Sequence, residues 1–328
     1  MRQHTVLLSA PYMNPFIERF RPVFAHYDCD LIVPEVHERM SAKEILAYAG
    51  QFDGTICGDD RYTSDVISAC APRLKIISKW GTGIDSIDKD AAEQNGIAVC
   101  RTANAFTKPV SDSVMAYVLA FARKQPWMDR LVKSAKWKKI PGRSLCECTI
   151  GVIGVGNIGK AVLKKAYAFE MRLIANDVIE VPADFTDAYA VEMMGLDQLL
   201  QQADFVSINC DLNPTSYHLI NSDTLAGMNP HAVLINTARG PIIDEQALIS
   251  VLHSGAIAGA ALDVFEVEPL PANSPLRVMD QVMLAPHNSN SSPSAWEAVH
   301  WNTIRNLLNG LQIPLEDFEE VKKQYEEE

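Results

Sequence analysis

Short apolar runs alternate with stretches of helical periodicity along almost the whole chain. Runs at residues 5–10, 30–34, 54–58, 74–79 and 97–101 read as strands. Between them, 17–26, 41–49, 64–71 and 88–95 repeat apolar residues every three or four positions, the period of an amphipathic helix. Ser41 followed by Glu44 has the spacing of a helix capping box. A longer helical pattern covers 110–124, with Val114, Val118, Leu119 and Ala122 on one stripe, and a basic connector at 133–143 ends in Pro141-Gly142. A second series then begins, with strands expected at 149–154, 172–177, 205–210, 232–236, 257–263 and 282–285. One more helix is expected at 293–311 and a charged end at 316–328. Alternation of this kind predicts βαβ units and parallel sheets with helices on both faces. Right-handed crossovers leave few topologies for such units. Two doubly wound α/β units with a cleft between them are the simplest architecture.

Composition narrows the setting. The chain has 328 residues, 48% of them hydrophobic and 21% charged, which suits two globular domains and excludes disordered or fibrous classes. Lys and Arg number 29 against 41 Asp and Glu, a net charge of −12 that repels a phosphate backbone, so no nucleic-acid partner is expected. No apolar run approaches the roughly 20 residues of a membrane span, so no membrane partner is expected either. The first residues read as a strand, not a signal peptide. Seven scattered cysteines fit reduced thiols and a cytoplasmic location. The pair Cys146-Glu-Cys148 has no grouped His or Cys beside it, and no metal is expected.

The sharpest local signal is Thr149-Ile-Gly-Val-Ile-Gly154-Val-Gly156-Asn157-Ile158-Gly159, a strand running into G-x-G-x-x-G and then a helix. Gly154 permits a tight turn, Gly156 lets a pyrophosphate approach the backbone, and Gly159 lets helix and strand pack closely. The helix N-terminus then offers N–H groups and partial positive charge to phosphates. The next strand ends at Asp177, placed to accept hydrogen bonds from an adenosine ribose. No Arg or Lys follows at 178–182 to accommodate a 2′-phosphate, so the cofactor expected is NAD.

Three later strands end in ionisable groups: Arg239 after 232–236, the acids Asp263, Glu266 and Glu268 after 257–263, and His287 after 282–285. Oxidising a hydroxyl beside a nicotinamide needs a base that titrates near neutrality, which histidine supplies. A nearby carboxylate would orient the ring and favour its charged form. An arginine fork fits a substrate carboxylate at two points. Arg, Glu and His together point to reversible oxidation of a 2-hydroxy acid.

With these motifs in order, the chain resembles the NAD-dependent D-2-hydroxyacid dehydrogenase family. The likeness runs from Lys79-Trp-Gly-Thr-Gly-Ile-Asp85 through the glycine turn and Asn236-Thr-Ala-Arg-Gly240 to Asp263-Val-Phe-Glu-Val-Glu-Pro269 and Pro286-His287. It implies a Rossmann nucleotide-binding domain, 104–289, inserted into a flavodoxin-like substrate domain, 1–103 plus 290–328. It implies catalytic roles for Arg239, Glu268 and His287, with Glu268 chosen over Glu266 because it directly precedes proline. It implies cofactor contacts at Gly154, Gly156, Asn157, Ile158, Gly159, Asp177, Thr107, Thr237 and Asp263, the last toward the nicotinamide carboxamide. Backbone N–H groups of the loop Trp80, Gly81, Thr82 and Gly83 are implied to hold the substrate carboxylate, with Arg61 a candidate for a distal anionic group. The substrate would be a small 2-hydroxy or 2-keto acid, and the assembly a homodimer formed through the nucleotide domain, which the 110–124 stripe suits. A corepressor-type NAD(H)-sensing protein is the alternative.

Several positions depart from the family pattern. Asp112-Ser113 replaces an acid–His pair, Asn288-Ser-Asn-Ser-Ser292 makes the stretch after His287 more polar, and Trp80 is bulkier than usual. Cys57-Gly58 stands where phosphoglycerate dehydrogenases tend to have Arg-Ser, and Glu268 stands where formate dehydrogenases have glutamine.

Overall fold

Among the described residues, all twelve strands are parallel, in two sheets. The computed structural model describes residues 4–325, so the last residues of the expected charged end lie outside the described residues. The chain divides into one unit running to Phe106 and resuming at Ser292, and a second spanning Thr107–Ser291.

The first unit contains β1 (His4–Leu8), β2 (Cys29–Ile32), β3 (Gly54–Cys57), β4 (Ile76–Lys79) and β5 (Ala98–Arg101), in spatial order β2-β1-β3-β4-β5. The second contains β6 (Thr149–Ile153), β7 (Arg172–Asn176), β8 (Val191–Met193), β9 (Phe205–Ile208), β10 (Val233–Asn236), β11 (Gly259–Leu262) and β12 (Val282–Leu284). Their order is β12-β11-β10-β9-β6-β7-β8. Every residue of β3, β4, β9, β10 and β11 is buried, as helices on both faces of a parallel sheet require. Their sequences are mainly apolar or small, with Lys79 and Asn236 the polar residues that close β4 and β10. The first order is that of flavodoxin-like sheets, and the second is the doubly wound dinucleotide-binding order with an extra strand. In each, the order reverses beside the first strand, and ligands bind at the carboxyl ends near that point.

The helix Pro293–Gly310 returns to the first unit, where the Ser78 hydroxyl donates to the Thr303 carbonyl at 2.8 Å. The capping box at Ser41 is present, with the Glu44 carboxylate accepting the Ser41 N–H at 2.7 Å. Two expectations need correction. The strand β8 has too short an apolar run to show in the sequence. The long helix is Thr107–Arg123, ended by Lys124 in the left-handed region (φ +56°), and a second helix, Gln125–Lys133, follows at once. Val114, Val118 and Ala122 are buried with Val162, Leu163 and Ala166 of the helix Asn157–Ala168. The stripe expected to serve a dimer is core.

His300 adds a pH dependence to the first unit. It is 2% exposed, and its Nδ1 accepts the Trp80 indole N–H at 3.0 Å. Burial lowers its pKa from 6.5 to about 4, with Glu297 opposing the shift and Arg19 adding to it. The unfolded chain therefore binds a proton that the folded chain refuses between these values. The resulting stabilisation is complete above pH 6.5 and is lost as pH falls toward 4, with a ceiling of about 3 kcal/mol. His300→Gln keeps an acceptor for Trp80 but cannot titrate. Denaturant unfolding followed by tryptophan fluorescence should show wild type losing more stability than this variant between pH 7 and pH 4. Parallel losses would exclude His300 as the cause.

Candidate functional site

β6 runs directly into the glycine turn. Gly154 has φ +89°, and a Cβ there would lie 2.6 Å from the Cys210 nitrogen just beyond β9. A Cβ on Gly159 would strike the Gly154 carbonyl, so only glycine lets the helix Asn157–Ala168 start against the turn. Gly156 caps that helix without any side-chain hydrogen bond, and nothing lies within 4 Å of where its Cβ would stand. The turn thus combines uncapped helical N–H groups with open space in front of them. Asp177 lies one residue past β7. Its Oδ2 accepts the Val155 N–H at 2.6 Å and its Oδ1 the Ile179 N–H at 2.9 Å, which docks the acid onto the glycine turn. Val178 and Ile179 are 90% and 74% exposed beside it.

The candidate reacting groups follow three neighbouring strands. β10, β11 and β12 are adjacent and parallel, so the segments carrying Arg239, Glu268 and His287 leave the same edge of the sheet as the glycine turn. Strands lie about 4.8 Å apart, which puts the ends of β10 and β12 roughly 10 Å apart, within reach of converging side chains. Asn236 closes β10 and braces the turn after it, donating to the Arg239 carbonyl at 2.9 Å and accepting the Ala238 N–H at 3.0 Å. The Arg239 Nη1 donates to the Ala238 carbonyl at 2.7 Å.

His287 Nδ1 lies 3.0 Å from Glu268 Oε2, while Glu268 Oε1 accepts the Phe265 N–H at 2.9 Å. With one carboxylate oxygen fixed by backbone and the other on the ring, the imidazole carries its proton on Nδ1 and exchange falls to Nε2. His287 has φ +52°, a left-handed conformation that costs an L-residue of order 1 kcal/mol and that its surroundings must impose. Asp263 imposes it. Its carbonyl accepts the His287 N–H at 2.8 Å, and its two carboxylate oxygens accept the N–H groups of Asn288 and Ser289, each at 2.8 Å. Asp263 is 1% exposed, and its carboxylate clasps the histidine's loop. Sequence reasoning missed that role, because the bonded residues are 25 positions apart and leave no local pattern.

In the first unit, the loop at 80–83 follows β4. Trp80 is 3% exposed and packs against Tyr12, Phe106 and Trp296. Its bulk fills the unit's own aromatic core, and its backbone N–H, expected to help hold a carboxylate, donates to the Cys57 carbonyl at 2.9 Å. Gly81 takes φ +122°, and its carbonyl accepts the Thr102 N–H, while the Thr82 hydroxyl donates to the Thr102 carbonyl at 3.0 Å. Beneath the loop, Lys79 is a buried cation, 2.9 Å from Asp59 Oδ1, and it donates to the Trp80 carbonyl at 3.3 Å. A lysine closing an apolar strand was the signal for it. Arg61 is exposed, anchored by its N–H to the Met40 carbonyl. Thr237 is buried just after β10, and Thr107 opens the first helix of the second unit.

Residues 115–289 match the family model described as D-isomer specific 2-hydroxyacid dehydrogenase, NAD binding domain. The chain belongs to the D-isomer specific 2-hydroxyacid dehydrogenase family. It is 37% identical over 288 residues to the glyoxylate reductase of Thermofilum pendens, covering 85% of each protein. It is 36% identical to the D-3-phosphoglycerate dehydrogenase of Methanocaldococcus jannaschii, across 87% of this chain but only 56% of that one. A crystal structure of a glyoxylate reductase from Paecilomyes thermophila superposes with a TM-score of 0.80 at 27% identity, covering 95% of this chain and 96% of that one. The protein is an NAD-dependent D-2-hydroxyacid dehydrogenase.

The glycine turn suits the cofactor of this family on geometric grounds: the space before Gly156, the uncapped N–H groups and the docked Asp177 carboxylate complement a pyrophosphate and a ribose diol. Replacing Asp177 with alanine removes both the acceptor expected for a ribose and the tie to Val155. NADH affinity, read by fluorescence titration, should weaken about tenfold or more, as for one or two lost charge-assisted bonds, while the preference over NADPH narrows. Unchanged discrimination would place ribose recognition elsewhere. Among the described residues, no cluster of His, Cys, Asp or Glu could hold a metal, and no helix is long and apolar enough to cross a membrane.

Proposed function

We propose that this dehydrogenase interconverts a small 2-keto acid and its D-2-hydroxy acid, with glyoxylate and hydroxypyruvate the leading substrates. The hydrogen bond between His287 and Glu268 on the sheet edge that also carries Arg239 and the glycine turn supports this reading above all. When bound, NAD(H) supplies or accepts the hydride at the substrate's C2. In the reductive direction, His287 donates its Nε2 proton to the carbonyl oxygen as C2 becomes tetrahedral, and in the oxidative direction it takes that proton back. Glu268 holds the ring in one tautomer and stabilises the imidazolium. Arg239 pairs with the substrate carboxylate and polarises the adjacent carbonyl, stabilising negative charge that grows on oxygen.

The first unit would be the substrate domain, expected from the sequence at 1–103 and 290–328, and the second, expected at 104–289, the NAD domain. Backbone N–H groups at 81–83 would contribute to carboxylate recognition, and Arg61 would serve only a substrate with a second anionic group. Thr107, Asn157, Ile158 and Thr237 would line the cofactor. Seven free cysteines suit a reducing, cytoplasmic setting. A homodimer would use the second unit's outer helix and the segment after it, where Val132 is 53% and Trp137 92% exposed.

A panel of 2-keto acids with NADH tests the function. Turnover of glyoxylate or hydroxypyruvate is expected, with Arg239→Ala much slower. Tight NADH binding without turnover on any acid would favour a sensing protein instead.

A further inference from the structure

The stretch from Val264 to Glu268 carries two carboxylates, and each meets an imidazole. Glu268 meets His287. Glu266, the acid with no part in the chemistry above, places Oε1 2.7 Å from His218 Nε2. His218 too sits in the left-handed region (φ +48°), with its ring stacked on Tyr217 at 4.1 Å. Its backbone reaches the other way: the His218 N–H donates at 2.9 Å to the carbonyl of Pro241, two residues past Arg239, and the pairing continues from Ile220 to Ile243. One residue therefore ties the turn that carries Arg239 to the segment that carries Glu268.

Glu266 is fixed from a second direction. The N–H of Glu245, first residue of the helix Glu245–Ser254, donates to Glu266 Oε1 at 3.5 Å, and the Glu266 N–H donates to Glu245 Oε2 at 3.3 Å. A carboxylate at a helix N-terminus is favoured by the helix dipole. Burial raises the Glu245 carboxyl above its usual range, with the Glu266 charge adding to the shift. Gly240 completes the arrangement. A Cβ there would run into the Phe265 carbonyl, so the Arg239 turn lies directly on this backbone.

We propose that His218 and Glu266 are positioning residues, a strut that sets the Arg239 turn against the Glu268 carboxylate so that guanidinium and imidazole address one substrate. The inference rests on the functional reading above. Displacement of a catalytic group by about 1 Å can cost a hundredfold in rate.

The test uses Glu266→Ala, His218→Ala, their double variant, and Glu266→Gln, which keeps an acceptor for the imidazole. Each is measured for kcat and KM with hydroxypyruvate, for NADH affinity by fluorescence, and for Tm. The alanine variants should lose about ten- to a hundredfold in kcat/KM, mostly in kcat, with NADH affinity within about twofold. The double variant should be no worse than the poorer single one, because both break one strut. Glu266→Gln should recover most of the rate. Alanine variants within twofold of wild type would overturn the strut, as would additive losses or a glutamine variant as slow as alanine. His287→Ala run alongside separates the two failures. If it is inactive while the strut variants are normal, only the strut is wrong; if it turns over normally, the functional reading is wrong.

Discussion

Replacing His287 by alanine is expected to lower kcat for keto-acid reduction by about two to four orders of magnitude, the range for removing a general acid. NADH affinity should stay within a few fold, because the glycine turn and Asp177 are built from β6 and β7. Reduction needs the protonated ring, so the wild-type rate should fall as pH rises through its titration, and this limb should vanish in the variant. Alanine leaves the left-handed backbone at this position under the same strain, so any change in Tm reports the lost contact with Glu268. Steady-state kinetics across pH, with NADH binding as a control, checks all of this. A variant that keeps both its rate and its pH limb would remove His287 from the mechanism.

Arg239→Ala should cost as much. Two charge-assisted hydrogen bonds at roughly 1.5–3 kcal/mol each amount to about two to four orders of magnitude in kcat/KM. Arg239→Lys keeps the charge but loses the planar fork, so it should recover only part of the loss. The expected signature is a raised KM for the keto acid together with a lowered kcat, since in the proposed role the guanidinium both binds the carboxylate and polarises the carbonyl. Full recovery by lysine would mean that charge alone matters and that two-point recognition is absent.

Much of this was legible because parallel strands buried on both faces must be largely apolar. Eleven of the twelve strands show as runs in the sequence, and the exception, β8, is three residues at a sheet edge. The glycine turn was legible for a related reason: a backbone that must approach phosphates, turn at φ +89° and accept a helix at close range admits little but glycine. The helix at 125–133 was not: the expected helical pattern stops at residue 124, and none of the residues of the helix that follows is buried. Whether the stripe at Val114, Val118 and Ala122 faces core or partner could not be read either, because burial by either looks the same in sequence. The site divides similarly. Arg239, Glu268 and His287 stand at strand ends with recognisable neighbours, whereas Asp263 clasping the 288–289 backbone, Lys79 beneath the Trp80 carbonyl, and His218 bonded to Glu266 are partnerships across distant positions. Glu266 and Glu268 are alike in sequence, and only the fold shows that each has its own histidine.

The most direct measurement of the central claim follows the transferred atom. The enzyme is incubated with hydroxypyruvate and nicotinamide cofactor deuterated at the transferring position, and the product is examined by mass spectrometry and chiral chromatography. One deuterium at C2 of a D-configured 2-hydroxy acid is the expected result, with His287→Ala forming almost none. Product of the opposite configuration, unlabelled product, or equal labelling by the alanine variant would contradict the account.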